Sequence, residues 1–330
     1  MKKISVLIPT YNEEDNVVPL SSALIEVFNT DLPNYDYEIV YIDNDSKDKT
    51  RLLIREICSD NSKIKAIFNS KNFGYHNSPF YGLCQTNGDC TILMCADFQD
   101  PVDMIPKFVR EWENGYKIVC GIKTKSEERR LMYFLRSCYY KTVKKLSKVE
   151  QIEHFTGFGL YDNSFIETLK NLGDPSPFLR GIVAELGSER KEISYTQNKR
   201  NAGKSKSNWL ALYDAAMLSF TSYTKAGLRV AVISGFVFSA LSLFALFIYI
   251  ALSLFFWRVL PAGMLPVLLG VFVFGSLQLF FIGLVGEYIM SINSRVMNRP
   301  LVVEMERINF HENFEQMSNG QNQADLSYKE

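Results

Sequence analysis

The stretch Ile92-Leu93-Met94-Cys95-Ala96-Asp97-Phe98-Gln99-Asp100-Pro101 joins an apolar run to a polar cluster and a proline. The apolar part is typical of a buried strand, and the proline is typical of the turn that follows one. Carboxylate and amide oxygens at the tip of such a strand can hold a hard divalent cation against a phosphate. The stretch therefore predicts a site for a phosphate-containing ligand.

Short apolar runs alternate with helical patterns through the first part of a domain predicted to span residues 1–226. This alternation indicates an α/β domain whose mostly parallel sheet is covered by helices on both faces. Helices are predicted near Asn16–Phe28 and Pro79–Thr86, and another is predicted after Pro101. The predicted strands are Ile4–Pro9, Tyr37–Asp43, Ile64–Asn69, Thr91–Ala96 and Lys117–Ile122.

Polar residues gather where three of these strands end, at Pro9–Glu13, Asp43–Asp45 and Asp97–Asp100. In open α/β sheets, ligands bind outside the carboxyl ends of the strands. Any one cluster could be an ordinary loop, but three clusters together favour a binding site. The chain has no glycine-rich phosphate loop, which favours phosphates held through a metal.

Two long apolar segments, Val230–Trp257 and Met264–Met290, each exceed the roughly 20 residues that span a bilayer. They predict a two-helix transmembrane hairpin over residues 227–292, with a buried helical hairpin as the alternative. Basic residues flank the hairpin and place the main domain in the cytoplasm, at Lys225, Arg229, Arg295 and Arg299.

Amphipathic stretches at about 127–149 and 208–225 are predicted to lie on the membrane surface, and a solvated surface helix is the alternative for the first. Residues 293–308 are predicted to return to the first domain through a short strand at Leu301–Met305. The polar residues 309–330 are predicted to form a disordered tail.

The overall charge is balanced, with 36 lysines and arginines against 36 aspartates and glutamates. The overall charge therefore predicts no partner, and no nucleic acid is expected as one. The six cysteines show no Cys-x-x-Cys spacing and are expected to be reduced core residues.

Several motifs resemble those of family 2 glycosyltransferases, and the later ones resemble the polyprenyl-phosphate branch of that family. The resemblance runs from about Ile4 to Val303. The motifs are Ile8–Glu13, Asp43–Thr50, Asn72-Phe73-Gly74, Ala96–Pro101, Phe178-Leu179-Arg180-Gly181, Arg200–Lys206 and Gly286-Glu287-Tyr288 with Arg299-Pro300.

This resemblance implies a GT-A, Rossmann-like fold and a membrane-bound inverting glycosyltransferase. The implied reaction moves a hexose from a nucleotide sugar, such as UDP-glucose, to a polyprenyl phosphate for cell-envelope glycosylation. The implied location is the inner (plasma) membrane, multi-pass, with the catalytic domain in the cytoplasm. The resemblance also allows a homotetramer and a flippase partner.

The resemblance assigns roles to individual positions. Asp97 and Gln99 would hold Mg²⁺ or Mn²⁺ and would act in catalysis together with Arg200 and Lys206. The lipid phosphate would bind at Arg200, Ser205 and Lys206. The nucleotide sugar would bind at Pro9, Tyr11, Glu13, Asp43, Ala96, Asp97 and Lys123.

The motifs also depart from the usual pattern. Cys95 stands where the family commonly has a first metal-motif aspartate, and Asn44 replaces the second aspartate of another motif. Two alternatives stay open: a hydroxyl acceptor and, because Cys95 stands in the metal motif, a non-catalytic membrane scaffold. A hydroxyl acceptor needs a base, for which Asp100 is the candidate unless it caps the helix after Pro101. His76 and His154 lack a third partner at metal-ligand spacing and are expected on the surface or in loops.

Overall fold

The computed structural model describes residues 1–125, 152–187, 189–198, 217, 226–255 and 264–310. Strands and helices alternate as the sequence predicts. The strands are β1 (Lys3–Thr10), β2 (Asp36–Asp43), β3 (Ile64–Asn69), β4 (Cys90–Leu93), β5 (Ile118–Lys125), β6 (Phe155–Asp162), β7 (Arg190–Thr196) and β8 (Glu304–Ile308).

Helices lie between most of these strands in the chain, and two long helices lie between β7 and β8. They are α1 (Val17–Thr30), α2 (Thr50–Asp60), α3 (Gly74–Gln85), α4 (Met104–Glu113), α5 (Asn163–Leu172), α6 (Leu179–Leu186), α7 (Ala226–Phe255) and α8 (Met264–Val296). Helix α3 begins five residues before the predicted boundary, because side chains from neighbouring loops fix its first residue.

The described strands form one sheet in the order β7-β5-β6-β4-β1-β2-β3-β8. β1 pairs in parallel with both β2 and β4, and β2 pairs in parallel with β3. β6 and β8 run antiparallel to their neighbours. The predicted mostly parallel α/β sheet is therefore confirmed, and the carboxyl ends of β4, β1 and β2 lie side by side.

Two apolar clusters, one on each face, cover the central strands. Alternate residues of β1 separate accordingly, with Val6 and Ile8 in one cluster and Leu7 in the other. Strands buried on both faces read as continuous apolar runs, which is why they were recognisable in the sequence. The five cysteines of the described part are free, as expected; Cys58, Cys90 and Cys120 are buried in the core, whereas Cys95 is exposed and is not a core residue.

β8 closes the edge of the sheet beside β3. Its register pairs Ala66 with Ile308, so the strand lies three residues beyond the predicted position. The side chain of Asn309 donates hydrogen bonds to the carbonyls of Cys58 at 2.7 Å and Ile64 at 2.8 Å. These contacts tie the chain that follows α8 to the first domain.

Helices α7 and α8 contain 30 and 33 residues and coincide with the two predicted apolar segments. The rings of Phe238 and Phe274 pack with centroids 6.3 Å apart. Among the described residues, one stretch, Val273–Val296, is both long and apolar enough to cross a membrane. The helices are observed, whereas the two-helix transmembrane hairpin stays a prediction.

Some predictions fall outside the described residues. The amphipathic stretches at about 127–149 and 208–225 lie there, apart from Met217, which is helical. The tail beyond residue 310 also lies there.

Truncation of the chain after residue 302 should destabilise the first domain, because it removes β8 and exposes the β3 edge. We expect the midpoint of thermal unfolding to fall by about 5 °C or more. Truncation after residue 310, which keeps β8 and Asn309, is the matched control and should leave the midpoint unchanged. Equal midpoints for the two truncated chains would contradict this prediction.

Candidate functional site

Polar loops after β1, β2 and β4 enclose a pocket of about 400 Å³ at the carboxyl edge of the sheet. This volume lies within the range of roughly 300–1,000 Å³ that is typical of small-molecule sites. From the loop after β2, Asn44 lines the pocket. Six of the residues predicted to bind ligand line this pocket: Pro9, Tyr11, Glu13, Ala96, Asp97 and Gln99.

Hydrogen bonds from backbone amides to side-chain oxygens hold the loop after β1 against the loop after β2. The amide of Asn12 donates to Ser46 Oγ at 2.8 Å, and Lys47 N donates to Asn12 Oδ1 at 2.7 Å. The amide of Glu13 donates to Thr50 Oγ1 at 2.8 Å. Asn12 has a left-handed φ of 54°, which asparagine adopts more readily than most residues. Both loops are thus fixed without a ligand.

Asp43 does not line the pocket. Its buried carboxylate accepts a hydrogen bond from Arg51 Nε at 2.6 Å and one from Ser46 N at 3.1 Å. The Ser46 hydroxyl also donates to it. These bonds occupy the carboxylate that the resemblance assigns to the nucleotide, so direct contact between Asp43 and a nucleotide stays a prediction.

Asn44 connects the loop after β2 to the start of α3. Its Nδ2 donates to Asn72 Oδ1 at 3.0 Å and to the Gly74 carbonyl at 3.2 Å. Its Oδ1 accepts from Asn69 Nδ2 at 3.1 Å and from Phe73 N at 2.9 Å. An ionised aspartate could only accept. The departure from the family pattern therefore serves to hold α3 against the pocket.

The segment after β4 folds back on itself around two carboxylates. Asp97 Oδ1 accepts from Gln99 N at 3.1 Å. Asp100 Oδ2 accepts from Cys95 N at 2.9 Å, and Asp100 Oδ1 accepts from the Tyr195 hydroxyl at 3.0 Å. Asp97 is buried, with 4% of its surface exposed.

The interpretation of Asp100 as a helix cap is wrong. Helix α4 begins at Met104, and Asp103 precedes it. Burial raises the pKa of the Asp100 carboxyl to about 6; the charge of Asp97 acts in the same direction, and hydrogen bonds from Cys95 and Tyr195 oppose it. Asp100 is a buried part of the pocket wall.

Comparison with known proteins identifies the family. A model of glycosyl transferase family 2 matches residues 5–187. Bactoprenol glucosyl transferase of Shigella phage SfX is 31% identical over 307 residues, covering 90% of this chain and 97% of that protein. The chain belongs to glycosyl transferase family 2. A prophage bactoprenol glucosyl transferase homolog of Escherichia coli strain K12 is 28% identical, covering 90% and 97%.

Family membership makes the chain a glycosyltransferase and argues against the non-catalytic scaffold. Two solved structures of glucosyl-3-phosphoglycerate synthase from Mycobacterium tuberculosis are also similar to it. The one with phosphoglyceric acid has a TM-score of 0.48 and 14% identity, covering 67% of this chain and 78% of that chain. The one with Mn²⁺, UDP-glucose and phosphoglyceric acid has a TM-score of 0.45. Because both TM-scores are below 0.5, the ligands of these structures are not inferred for this glycosyltransferase.

The donor atoms of Asp97 and Gln99 fit a hard divalent cation. Both line the pocket, and Mg²⁺ binds through one or two carboxylates while keeping waters and substrate phosphates. Among the described residues no group of three His, Cys, Asp or Glu side chains forms a complete protein cage. The residues therefore suit a cation shared with the substrate of this glycosyltransferase, and metal binding stays a prediction.

Cys95 faces the pocket but is poorly suited to replace the missing aspartate. Protein atoms surround the thiol on its other sides, and this desolvation raises its pKa, with the charges of Asp100 and Asp97 acting in the same direction. The group is thus a neutral thiol at pH 7, whereas Mg²⁺ prefers oxygen ligands.

The other predicted site residues lie elsewhere. Lys123 belongs to β5, where its backbone pairs with Tyr195, and it is not among the residues lining the pocket. Arg200, Ser205 and Lys206 lie outside the described residues. Their roles stay predictions.

Sequence reasoning missed several pocket residues on the opposite wall. Except for His76, which lies in the first turn of α3, they come from segments more than 50 residues after Asp97, and no local pattern marks them as site residues. Arg180 lay within a quoted motif but had received no role. These residues are His76, Thr156, Gly157, Leu179, Arg180 and Gln197.

His76 lies in α3 and is partly buried, so the surface-or-loop expectation is wrong. Its ring contacts Tyr75 at 4.0 Å and Phe178 at 5.4 Å between centroids. Burial lowers the pKa of His76 to about 4, and the positive charge of Arg180 lowers it further. Its Nε2 atom is buried and has no hydrogen-bond partner.

Acidification should destabilise this glycosyltransferase partly through His76. Because its folded pKa lies below the ordinary value near 6.5, the unfolded chain takes up the proton first. Stability is therefore complete above about pH 6.5 and decreases toward pH 4. We expect His76→Gln to show a smaller fall in unfolding temperature between pH 7 and pH 5 than the wild type. The exposed control His154→Gln should keep the wild-type fall; the same fall in all three proteins would contradict the prediction.

Proposed function

We propose that this glycosyltransferase moves a hexose from a nucleotide sugar, such as UDP-glucose, to a polyprenyl phosphate at the cytoplasmic face of the plasma membrane. The main support is a pocket in which the loops after β1 and β2 meet the motif containing Asp97 and Gln99. The same chain also contains two long apolar helices. The name of the Shigella phage SfX relative, which aligns with 90% of this chain, supports the same acceptor.

The donor occupies the β1 and β2 side of the pocket in this proposal. Tyr11 offers an aromatic face, and Glu13 offers carboxylate oxygens that accept hydrogen bonds from ribose hydroxyls or a base edge. Glu13 is oriented by Asn16, whose Nδ2 donates to Glu13 Oε2 at 2.7 Å. Asp97 and Gln99 would hold Mg²⁺ or Mn²⁺, and such a cation would supply positive charge to offset that of the departing nucleoside diphosphate.

The acceptor requires positioning more than deprotonation. A phosphate monoester has a second pKa near ~6 and is largely dianionic at neutral pH. It can attack the anomeric carbon directly, on the side opposite the nucleoside diphosphate, which inverts that centre. The protein then has to align the reactants and offset their negative charges. Arg200, Ser205 and Lys206 are proposed to take part in this.

The membrane location rests on the exposed apolar surface of α7 and α8. Phe236 is 75% exposed, Phe247 71% and Leu279 71%, and apolar surface of this extent is typical of membrane contact. We propose that the two helices form a transmembrane hairpin. Asp174 of the first domain forms an ion pair with Arg295 at the end of α8, with 3.6 Å between Arg295 Nη2 and Asp174 Oδ2.

Asp97→Ala should abolish incorporation of sugar into lipid, because it removes the carboxylate of the metal motif. Membranes carrying the variant are incubated with radiolabelled UDP-glucose and other nucleotide sugars, and label is followed into chloroform-extractable lipid. Asp103→Ala removes an exposed aspartate outside the pocket and should retain activity. Lipid labelling by Asp97→Ala at the wild-type rate would exclude the assigned role.

A hydroxyl acceptor remains the second candidate function, and the burial of Asp100 together with its raised pKa favours it as a base. Both of its oxygens already accept hydrogen bonds from Cys95 and Tyr195, which favours a structural role instead. We therefore expect Asp100→Asn to retain measurable transfer to polyprenyl phosphate. Complete loss of transfer with unchanged binding of UDP and Mn²⁺, measured by calorimetry, would support the hydroxyl acceptor.

A further inference from the structure

Arg180 differs in charge from the other ionised groups of the pocket. Of the lining residues that the structure describes, Glu13, Asp97 and Asp100 carry carboxyl groups, and Arg180 is the one lysine or arginine. Among the residues that the structure describes, no carboxylate forms an ion pair with the Arg180 guanidinium. A partly buried guanidinium at a pocket wall without such a partner is available to an anionic ligand.

Aromatic packing and a helix hold this cation in place. The guanidinium carbon of Arg180 lies 6.0 Å from the ring centroid of Phe178, and the ring of His76 meets Phe178 edge-on. Arg180 lies in the first turn of α6, where the aligned peptide dipoles add partial positive charge. Because His76 is neutral at pH 7, the positive charge on this wall is that of Arg180.

The sheet order places Arg180 across the metal motif from the nucleotide loops. β4 pairs with β1 on one side and with β6 on the other. Leu179, next to Arg180, approaches β6, since a Cβ on Gly157 would lie 4.0 Å from Leu179 Cδ2. Tyr11 and Glu13 follow β1. The segment containing Asp97 therefore lies between the two walls.

We propose that Arg180 binds the phosphate of the lipid acceptor, and this rests on the function proposed above. The nucleophilic phosphate must approach a pocket that already contains carboxylates and the donor diphosphate, and like charges repel strongly where water is scarce. A cation on the wall opposite the nucleotide loops offsets this repulsion. The planar guanidinium can bind two phosphate oxygens at once and so orient the third for attack.

The test measures binding of two ligands separately to the detergent-solubilised full chain. The probes are a water-soluble short-chain polyprenyl phosphate, and UDP with Mn²⁺. Arg180→Gln should weaken polyprenyl-phosphate binding about 10-fold to 100-fold, as expected for loss of a charge-assisted hydrogen bond. Its UDP affinity should stay within about twofold. Arg180→Lys should give an intermediate loss, because it keeps the charge and loses the fork geometry.

Arg110→Gln is the matched control, because Arg110 is exposed on α4 and outside the pocket. It should change neither affinity. Unchanged polyprenyl-phosphate affinity in Arg180→Gln would overturn the proposal. A loss confined to UDP would also overturn it and would assign Arg180 to the donor, and equal losses for both ligands would indicate general disturbance of the pocket and overturn it too. A wild-type chain that transfers no sugar to polyprenyl phosphate would contradict the proposed function instead.

Discussion

The parallel pairing of β1 with β2 and with β4 is the constraint on which the rest of the structure depends. The register places Thr10 beside Asp43 and Leu7 beside Leu93, so the three strands end at the same edge of the sheet. A shift by one residue would exchange side chains such as Val6 and Leu7 between the two apolar clusters and disrupt the packing of both. The loops that follow β1, β2 and β4 therefore lie side by side at the carboxyl edge of the sheet.

Polar hydrogen bonds then convert adjacent loops into a defined pocket. Asn12, Asn44 and Asp97 each use a side-chain oxygen to accept a backbone N–H. Such bonds give partners to backbone donors in loops that form no ladder hydrogen bonds there. They also reduce the conformational freedom that a ligand would have to remove on binding. The pocket is therefore preorganised before a ligand binds, in part by residues such as Asn44 and Asp97 that also line it.

The charge distribution of the pocket suits a reaction between two anions. Carboxyl groups gather on the side of Glu13 and Asp97, where a divalent cation can offset them, and Arg180 supplies positive charge on the opposite wall. Arg295 in the last turn of α8 contacts Asp174 in the segment that leads into α6. The ion pair thus connects α8 to the wall proposed to receive the acceptor.

The sequence alone determined the alternation of strands and helices, the two long apolar helices and the three polar clusters, because apolar periodicity and strand-end residues are local signals. Only the tertiary structure decided how those polar groups are used. Arg51 donates a hydrogen bond to the Asp43 carboxylate, and the Tyr195 hydroxyl donates one to Asp100, which lies 95 residues earlier in the chain. β8 pairs with β3 across more than 230 residues. Contacts between residues so far apart depend on how the elements pack, and no local pattern in the chain encodes them.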